Sequence, residues 1–143
     1  MYKKVLFATD FDEIGINAAH KAKKIADENG ADLLLVHVVE PIPAYAYPGF
    51  AGFAEVEVSI REQAEKELNA LANQLGVDEK HRLLEFGSIK NEILRIADEQ
   101  KIDLIVTGSH GKHGLGLLLG STANAILHAS HCDMLIVQPQ PKA

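Results

Sequence analysis

The chain has 143 residues, enough for one ordinary domain around one core, so a single domain over 1–143 is expected. Hydrophobic residues make up 47% and charged residues 24%, a globular balance, and no apolar run approaches the roughly 18 residues of a membrane-spanning helix. A net charge of −6 sets the surface field against nucleic acid and anionic membrane, which removes both as expected partners and leaves any anionic ligand to be held by local geometry.

The opening Met1-Tyr2-Lys3-Lys4 leads directly into Val5-Leu6-Phe7-Ala8, with no apolar stretch of signal-peptide length and no cleavage site. With a lone Cys132 excluding an internal disulfide, a cytoplasmic location is expected. Cys132 adjoins an apolar run and reads as a small buried residue rather than a nucleophile.

Val5-Leu6-Phe7-Ala8 reads as a strand buried on both sides, stopping at Thr9-Asp10. Asp12 can cap a helix through Asn29, with Ala18, Ala22, Ile25 and Ala26 on one face and Gly30 as its stop. Leu33 to Val39 is the second strand, ending at Glu40-Pro41. Pro41 to Phe53 is too interrupted by Pro41, Pro43 and Pro48 for a regular element. Such a long loop suits a lid or partner surface, with Tyr45, Tyr47, Phe50 and Phe53 as its apolar reach, or a connection whose aromatics pack down. A long amphipathic helix follows to about Leu75, carrying Ile60, Ala64, Leu68, Leu71, Ala72 and Leu75 on one face and ended by Gly76. His81 to Phe86 is the third strand, and Ser88 caps a helix carrying Ile89, Ile93, Ile96 and Ala97. Leu104-Ile105-Val106 and Met134-Leu135-Ile136-Val137 complete a βαβαβαβαβ pattern, the signature of a mainly parallel α/β sheet.

Between the last two strands lie five glycines, Gly108, Gly111, Gly114, Gly116 and Gly120, followed by Ser121-Thr122 at the start of a helix through about Ala129. They could serve only a tight crossover, with Ser121 as an ordinary cap. Their grouping at a strand end and a helix start favours a phosphate cradle, in which backbone N–H groups approach the anion closely and the helix dipole adds to two hydroxyl donors. Lys112 can add a point charge. The segment is neither a Walker A loop nor a dinucleotide fingerprint. His128 and His131 share nearly one helix face, and His110 and His113 have the same spacing. A zinc site would need further ligands, however, so no metal is expected. His20, His37 and His81 have no ligand-like spacing.

The whole chain resembles the universal stress protein family, through Val5-Leu6-Phe7-Ala8-Thr9-Asp10, Leu34-Leu35-Val36-His37-Val38, Asp103-Leu104-Ile105-Val106-Thr107-Gly108-Ser109-His110-Gly111 and Asp133-Met134-Leu135-Ile136-Val137. The resemblance implies a five-stranded parallel sheet in the order 3-2-1-4-5 with helices on both faces. This is a Rossmann-like fold of the adenine nucleotide alpha hydrolase-like kind, and the homodimer is commonly formed through the last strand, Met134 to Val137. It also implies an adenine nucleotide, ATP or AMP, with or without Mg²⁺. The family's phosphate signature is Gly, two residues, Gly, nine residues, Gly, then Ser or Thr. Carried over, it places Gly108, Ser109, His110, Gly111, Gly120, Ser121 and Thr122 on ribose and phosphates, Asp10 near ribose or adenine, Val38 on the adenine edge, and Ala8 and Thr9 along the base pocket. This chain has eight residues, not nine, between Gly111 and Gly120.

Turnover would need a positioned water, a base and usually a metal clamp. Asp10 could hold Mg²⁺ but better suits a ribose hydrogen bond, and His110 has no adjacent carboxylate to orient it as a base. The expectation is a dimeric nucleotide-binding module in stress response, not an enzyme, that presents itself to an unidentified protein partner. A slow ATP hydrolase or phosphotransferase and a nucleotide-independent adaptor are the alternatives.

Overall fold

The computed structural model describes residues 1–11, 13–42, 52–108 and 126–138. Strands β1 (Lys4–Ala8), β2 (Asp32–Val39), β3 (Arg82–Phe86), β4 (Leu104–Gly108) and β5 (Asp133–Val137) alternate with helices α1 (Glu13–Asn29), α2 (Phe53–Leu75) and α3 (Ile89–Glu99), and residues 126–129 are helical. All four strand pairings are parallel, in the order β3-β2-β1-β4-β5. Chain progression reverses direction between β1 and β4, the switch point at which ligands of open α/β sheets sit beyond the carboxyl ends of the strands.

The central strands are continuously apolar because both sheet faces are covered. One face carries Val5, Phe7, Leu33, Leu35, Leu104 and Val106 against α1 and α2. The other carries Leu6, Ala8, Leu34, Val36, Val38 and Ile105 against α3 and Ile126. In α1 the contact side is Ala18, Ala19, Ala22 and Ala26, all buried, and such small residues let the helix axis lie close to the strands. Ile89, Ile93, Ile96 and Ala97 of α3 are buried as their spacing predicts.

The three helices end alike. Gly30 and Gly76 adopt φ of 64° and 69°, and the amides of Ala31 and Val77 reach back to the carbonyls of Ala26 and Ala72. This left-handed closure satisfies the last carbonyls of a helix and suits glycine. Helix α3 closes the same way with Lys101 at φ 56° and Ile102 N–H donating to the Ala97 carbonyl, a stop that no glycine announces. At its start, Ser88 Oγ accepts from the Asn91 amide at 3.4 Å, as the sequence predicts.

Several expectations need correction. Gly108 is the last residue of β4, paired with Val137, rather than the first residue after the strand. His81 belongs to a turn of 3₁₀-helix at Glu79–His81, so β3 begins at Arg82, and Phe53 opens α2 instead of ending the loop before it. Cys132 is half-buried rather than buried, and its desolvation pushes the thiol pKa up. The proposed cap at Asp12 and residues 43–51 of the loop lie outside the described residues.

Candidate functional site

The carboxyl end of β1 is fixed by a compact set of bonds. Thr9 N–H donates to the Val36 carbonyl at 2.9 Å, continuing the β1–β2 ladder one residue past the strand. The next turn is made by Phe11 at φ 65°, a left-handed conformation that costs a residue with a Cβ free energy. Phe11 N–H donates to Thr9 Oγ1 at 3.0 Å, a local side-chain turn that holds this geometry. From β2, His37 Nδ1 lies 2.7 Å from the Thr9 carbonyl oxygen. A carbonyl only accepts, so Nδ1 carries the proton. The Phe11 and His37 rings pack with centroids 4.3 Å apart, tilted by 38°.

This turn sets Asp10 at the mouth of the crevice, half-buried and over the start of α1. Gly15, in the first turn of that helix, is buried, and a Cβ there would stand 3.7 Å from Asp10 Oδ1. A carboxylate beside a helix N-terminus is in a favourable field. Across the switch point, Thr107 is paired in register with Ala8 and with Ile136. It is wholly buried, and its hydroxyl has no hydrogen-bond partner among the described residues. Leaving such a group unsatisfied costs about 1–3 kcal/mol.

Two tightly packed crevices meet here, each with room for no more than about one water. One is lined by Phe7, Ala8, Thr9, Asp10, Gly15, Thr107 and Gly108. The second is lined by Ala8, Thr9, Asp10, Val36, His37, Val38, Ile89 and Ile93. They share Ala8, Thr9 and Asp10, so one polar corner separates an apolar slot beneath Val38 from the β1–β4 junction beside Gly108.

The universal stress protein family model matches residues 1–138. The chain belongs to the universal stress protein family. It is 41% identical over 139 residues to universal stress protein A homolog 2 of Coxiella burnetii, an alignment covering 96% of this chain and 95% of that one. To universal stress protein MJ0531 of Methanocaldococcus jannaschii it is 33% identical over 146 residues, covering 99% and 85%. Among solved structures, that of hypothetical protein MJ0577 superposes with a TM-score of 0.75 at 26% identity, covering 99% of both chains. A universal stress protein crystallised in complex with cAMP superposes at 0.62 with 26% identity, covering 97% of this chain and 98% of that one.

Within this universal stress protein fold, Ala8, Thr9 and Asp10 lie at the carboxyl edge between Val38 on one side and Gly108 on the other. Ser109, His110, Gly111, Gly120, Ser121 and Thr122 lie outside the described residues, as do Lys112 and His113. His128 and His131 are exposed, and among the described residues no group of three or more His, Cys, Asp or Glu is placed to hold a metal ion. Among the same residues no helix is long and apolar enough to cross a membrane.

Three residues of the corner receive no role from the sequence: Phe11, and His37 and Thr107, which stand within the segments that carry the family resemblance. For His37 and Thr107 the signal is polarity out of place, since His37 interrupts Leu33-Leu34-Leu35-Val36-His37-Val38-Val39 and Thr107 follows the apolar run Leu104-Ile105-Val106; Phe11 carries none. A separate cleft of about 270 Å³ lies beyond the ends of β2 and β3, lined in part by Val39, Ile42, Glu57, Ile60, Arg61 and Phe86. There the Arg61 guanidinium sits 4.5 Å from the centroid of the half-exposed Phe86 ring.

Proposed function

We propose that this universal stress protein is an adenine-nucleotide-binding module, taking ATP or AMP at the carboxyl ends of β1, β2 and β4. The observation that carries the reading is the corner itself. At the switch point the apolar crevice beneath Val38 meets Asp10, and beside it stands the buried Thr107 hydroxyl, without a partner among the described residues; a nucleoside would supply both apolar surface and a hydrogen bond. Ala8, Thr9 and the Val38 backbone line the base, Asp10 takes the ribose, and Gly108 begins the segment in which Ser109, His110, Gly111, Gly120, Ser121 and Thr122 hold the phosphates. Backbone amides and glycines of that segment would supply the positive field that a protein of net charge −6 otherwise lacks. The cAMP complex of a related universal stress protein supports an adenine nucleotide as the ligand class. Mg²⁺ would enter with the phosphates.

The module binds without turnover and works as a cytoplasmic homodimer of single-domain chains that presents its nucleotide state to a protein partner. Strand β5 stands at the sheet edge with Met134, Leu135 and Ile136 half-buried, and an edge of this kind accepts a second copy. Calorimetric titration of the purified protein with ATP and with AMP, each with and without Mg²⁺, tests the ligand. Saturable binding well below a millimolar dissociation constant, lost in Gly120→Val, is the expected result. Absence of binding by the wild-type chain removes the reading.

A further inference from the structure

His37 belongs to β2, yet the structure joins it to the turn after β1. Its Nδ1–H reaches the Thr9 carbonyl at 2.7 Å, and its ring packs on Phe11, the residue held at φ 65°. Thr9 is thus tied at three atoms: its N–H to Val36, its Oγ1 to the Phe11 amide, and its carbonyl to His37. Two of these ties are local or belong to the ladder. The third is the one that crosses from another strand's side chain, and it acts on the peptide between Thr9 and Asp10.

That peptide decides where the Asp10 carboxylate stands. Rotation of the Thr9 carbonyl turns the plane that carries the Asp10 nitrogen, and a left-handed residue at position 11 lowers the cost of leaving the observed conformation. A fixed donor on the Thr9 carbonyl opposes both changes. Val38, the next residue along β2, packs on the opposite face of the sheet against the apolar slot. One strand therefore supplies a wall of the base pocket on one face and the clamp for the Asp10 turn on the other.

We infer that His37 is the positioning residue of the nucleotide site, acting through the Thr9 carbonyl to hold Asp10 in its binding position. The inference rests on the nucleotide reading above. It makes no use of the imidazole's charge, because Nδ1 carries a proton in both the neutral tautomer and the imidazolium. What matters is a donor at the position of Nδ1.

Asparagine places a side-chain N–H near the position of Nδ1, whereas glutamine carries its donor further out, so Asn and Gln variants separate donor position from polarity. In calorimetric titrations with ATP, His37→Asn is expected to bind within about threefold of wild type and His37→Gln about tenfold more weakly. In a double-mutant cycle, His37→Gln is expected to add little to Asp10→Ala, because its effect is exerted through that carboxylate. If one of these variants fails to fold, amide exchange at Phe11 in the other supplies the readout: protection kept in His37→Asn or lost in His37→Gln supports the clamp, and the reverse overturns it. Wild-type binding with equal affinities in His37→Asn and His37→Gln, or full additivity with Asp10→Ala, overturns the inference alone. A wild-type chain that binds neither ATP nor AMP overturns the nucleotide reading and this inference together.

Discussion

At the amino ends of the strands hydrogen bonds tie four strands to one another, whereas at the carboxyl ends they centre on Thr9 and leave the buried Thr107 hydroxyl without a partner among the described residues. Asp103 Oδ2 accepts from the amides of Lys3 at 2.7 Å and Lys4 at 2.8 Å, and its own N–H donates to the Lys4 carbonyl. Asp32 N–H donates to the Lys3 carbonyl, Asp133 N–H to the Asp103 carbonyl, and Tyr2 Oη to Asp133 Oδ2 at 2.8 Å. The starts of β1, β2, β4 and β5 are thereby tied into one hydrogen-bonded lattice. The opposite edge holds a left-handed Phe11 and a buried Thr107 hydroxyl with no partner among the described residues, beside two tightly packed crevices. The amino edge is tied across four strands, with a cleft lined in part by Ile102, Asp103, Ser130 and Cys132 to one side of the ties; the carboxyl edge carries the strained turn and the buried hydroxyl that favour completion by a ligand.

Substitutions at the two edges should therefore have opposite signatures. The largest effect is expected from Thr107→Val, which replaces the hydroxyl with a methyl group of similar shape. Removing an unsatisfied buried polar group leaves the ligand-free protein at least as stable, while loss of the proposed ligand contact weakens ATP binding by about tenfold. Paired thermal melts and titrations check both halves, and Thr107→Ser should bind close to wild type. A Thr107→Val protein with lower stability and unaltered affinity would break the contrast between the edges.

Asp103→Ala probes the finished end. It leaves two partly exposed amides without their acceptor and should cost about 1 kcal/mol of unfolding free energy with no change in nucleotide affinity. Its pH dependence has a definite sign. The Lys3 amide first, then the Lys4 amide, hold the Asp103 carboxyl below the usual carboxylate range. A group whose pKa is depressed on folding contributes stability above its unfolded value of about 3.9 and loses it as pH falls through the folded value. Denaturant titrations should show a constant gap between wild type and Asp103→Ala near neutral pH, closing in acid below about pH 4.

The same contrast explains how much was legible in the sequence. Continuous apolar runs mark strands covered on both faces, helical spacing in α3 names its four buried residues, and Gly30, Gly76 and Ser88 mark real helix ends. These signals are local, or are dictated by burial that each element carries in its own pattern. The left-handed Lys101 has no residue type to announce it, while the third tie on Thr9 and the buried state of Thr107 depend on parallel register, which brings Ala8 beside Val36 on one side and Thr107 on the other. No spacing within β2 announces that His37 will meet the residue after β1. The family resemblance supplied the strand order and named the corner residues Ala8, Thr9, Asp10, Val38 and Gly108. It did not supply the hydrogen bonds that hold them.

The most direct test of the two-edge account is a map of backbone amide shifts as ATP is titrated into the isotope-labelled protein. The account predicts that shifts concentrate at residues 8–11, Val38, Thr107 and Gly108, with Lys3, Lys4, Asp103 and Asp133 unmoved. Shifts confined to the amino edge, or to Arg61 and Phe86 beside the separate cleft, would contradict it.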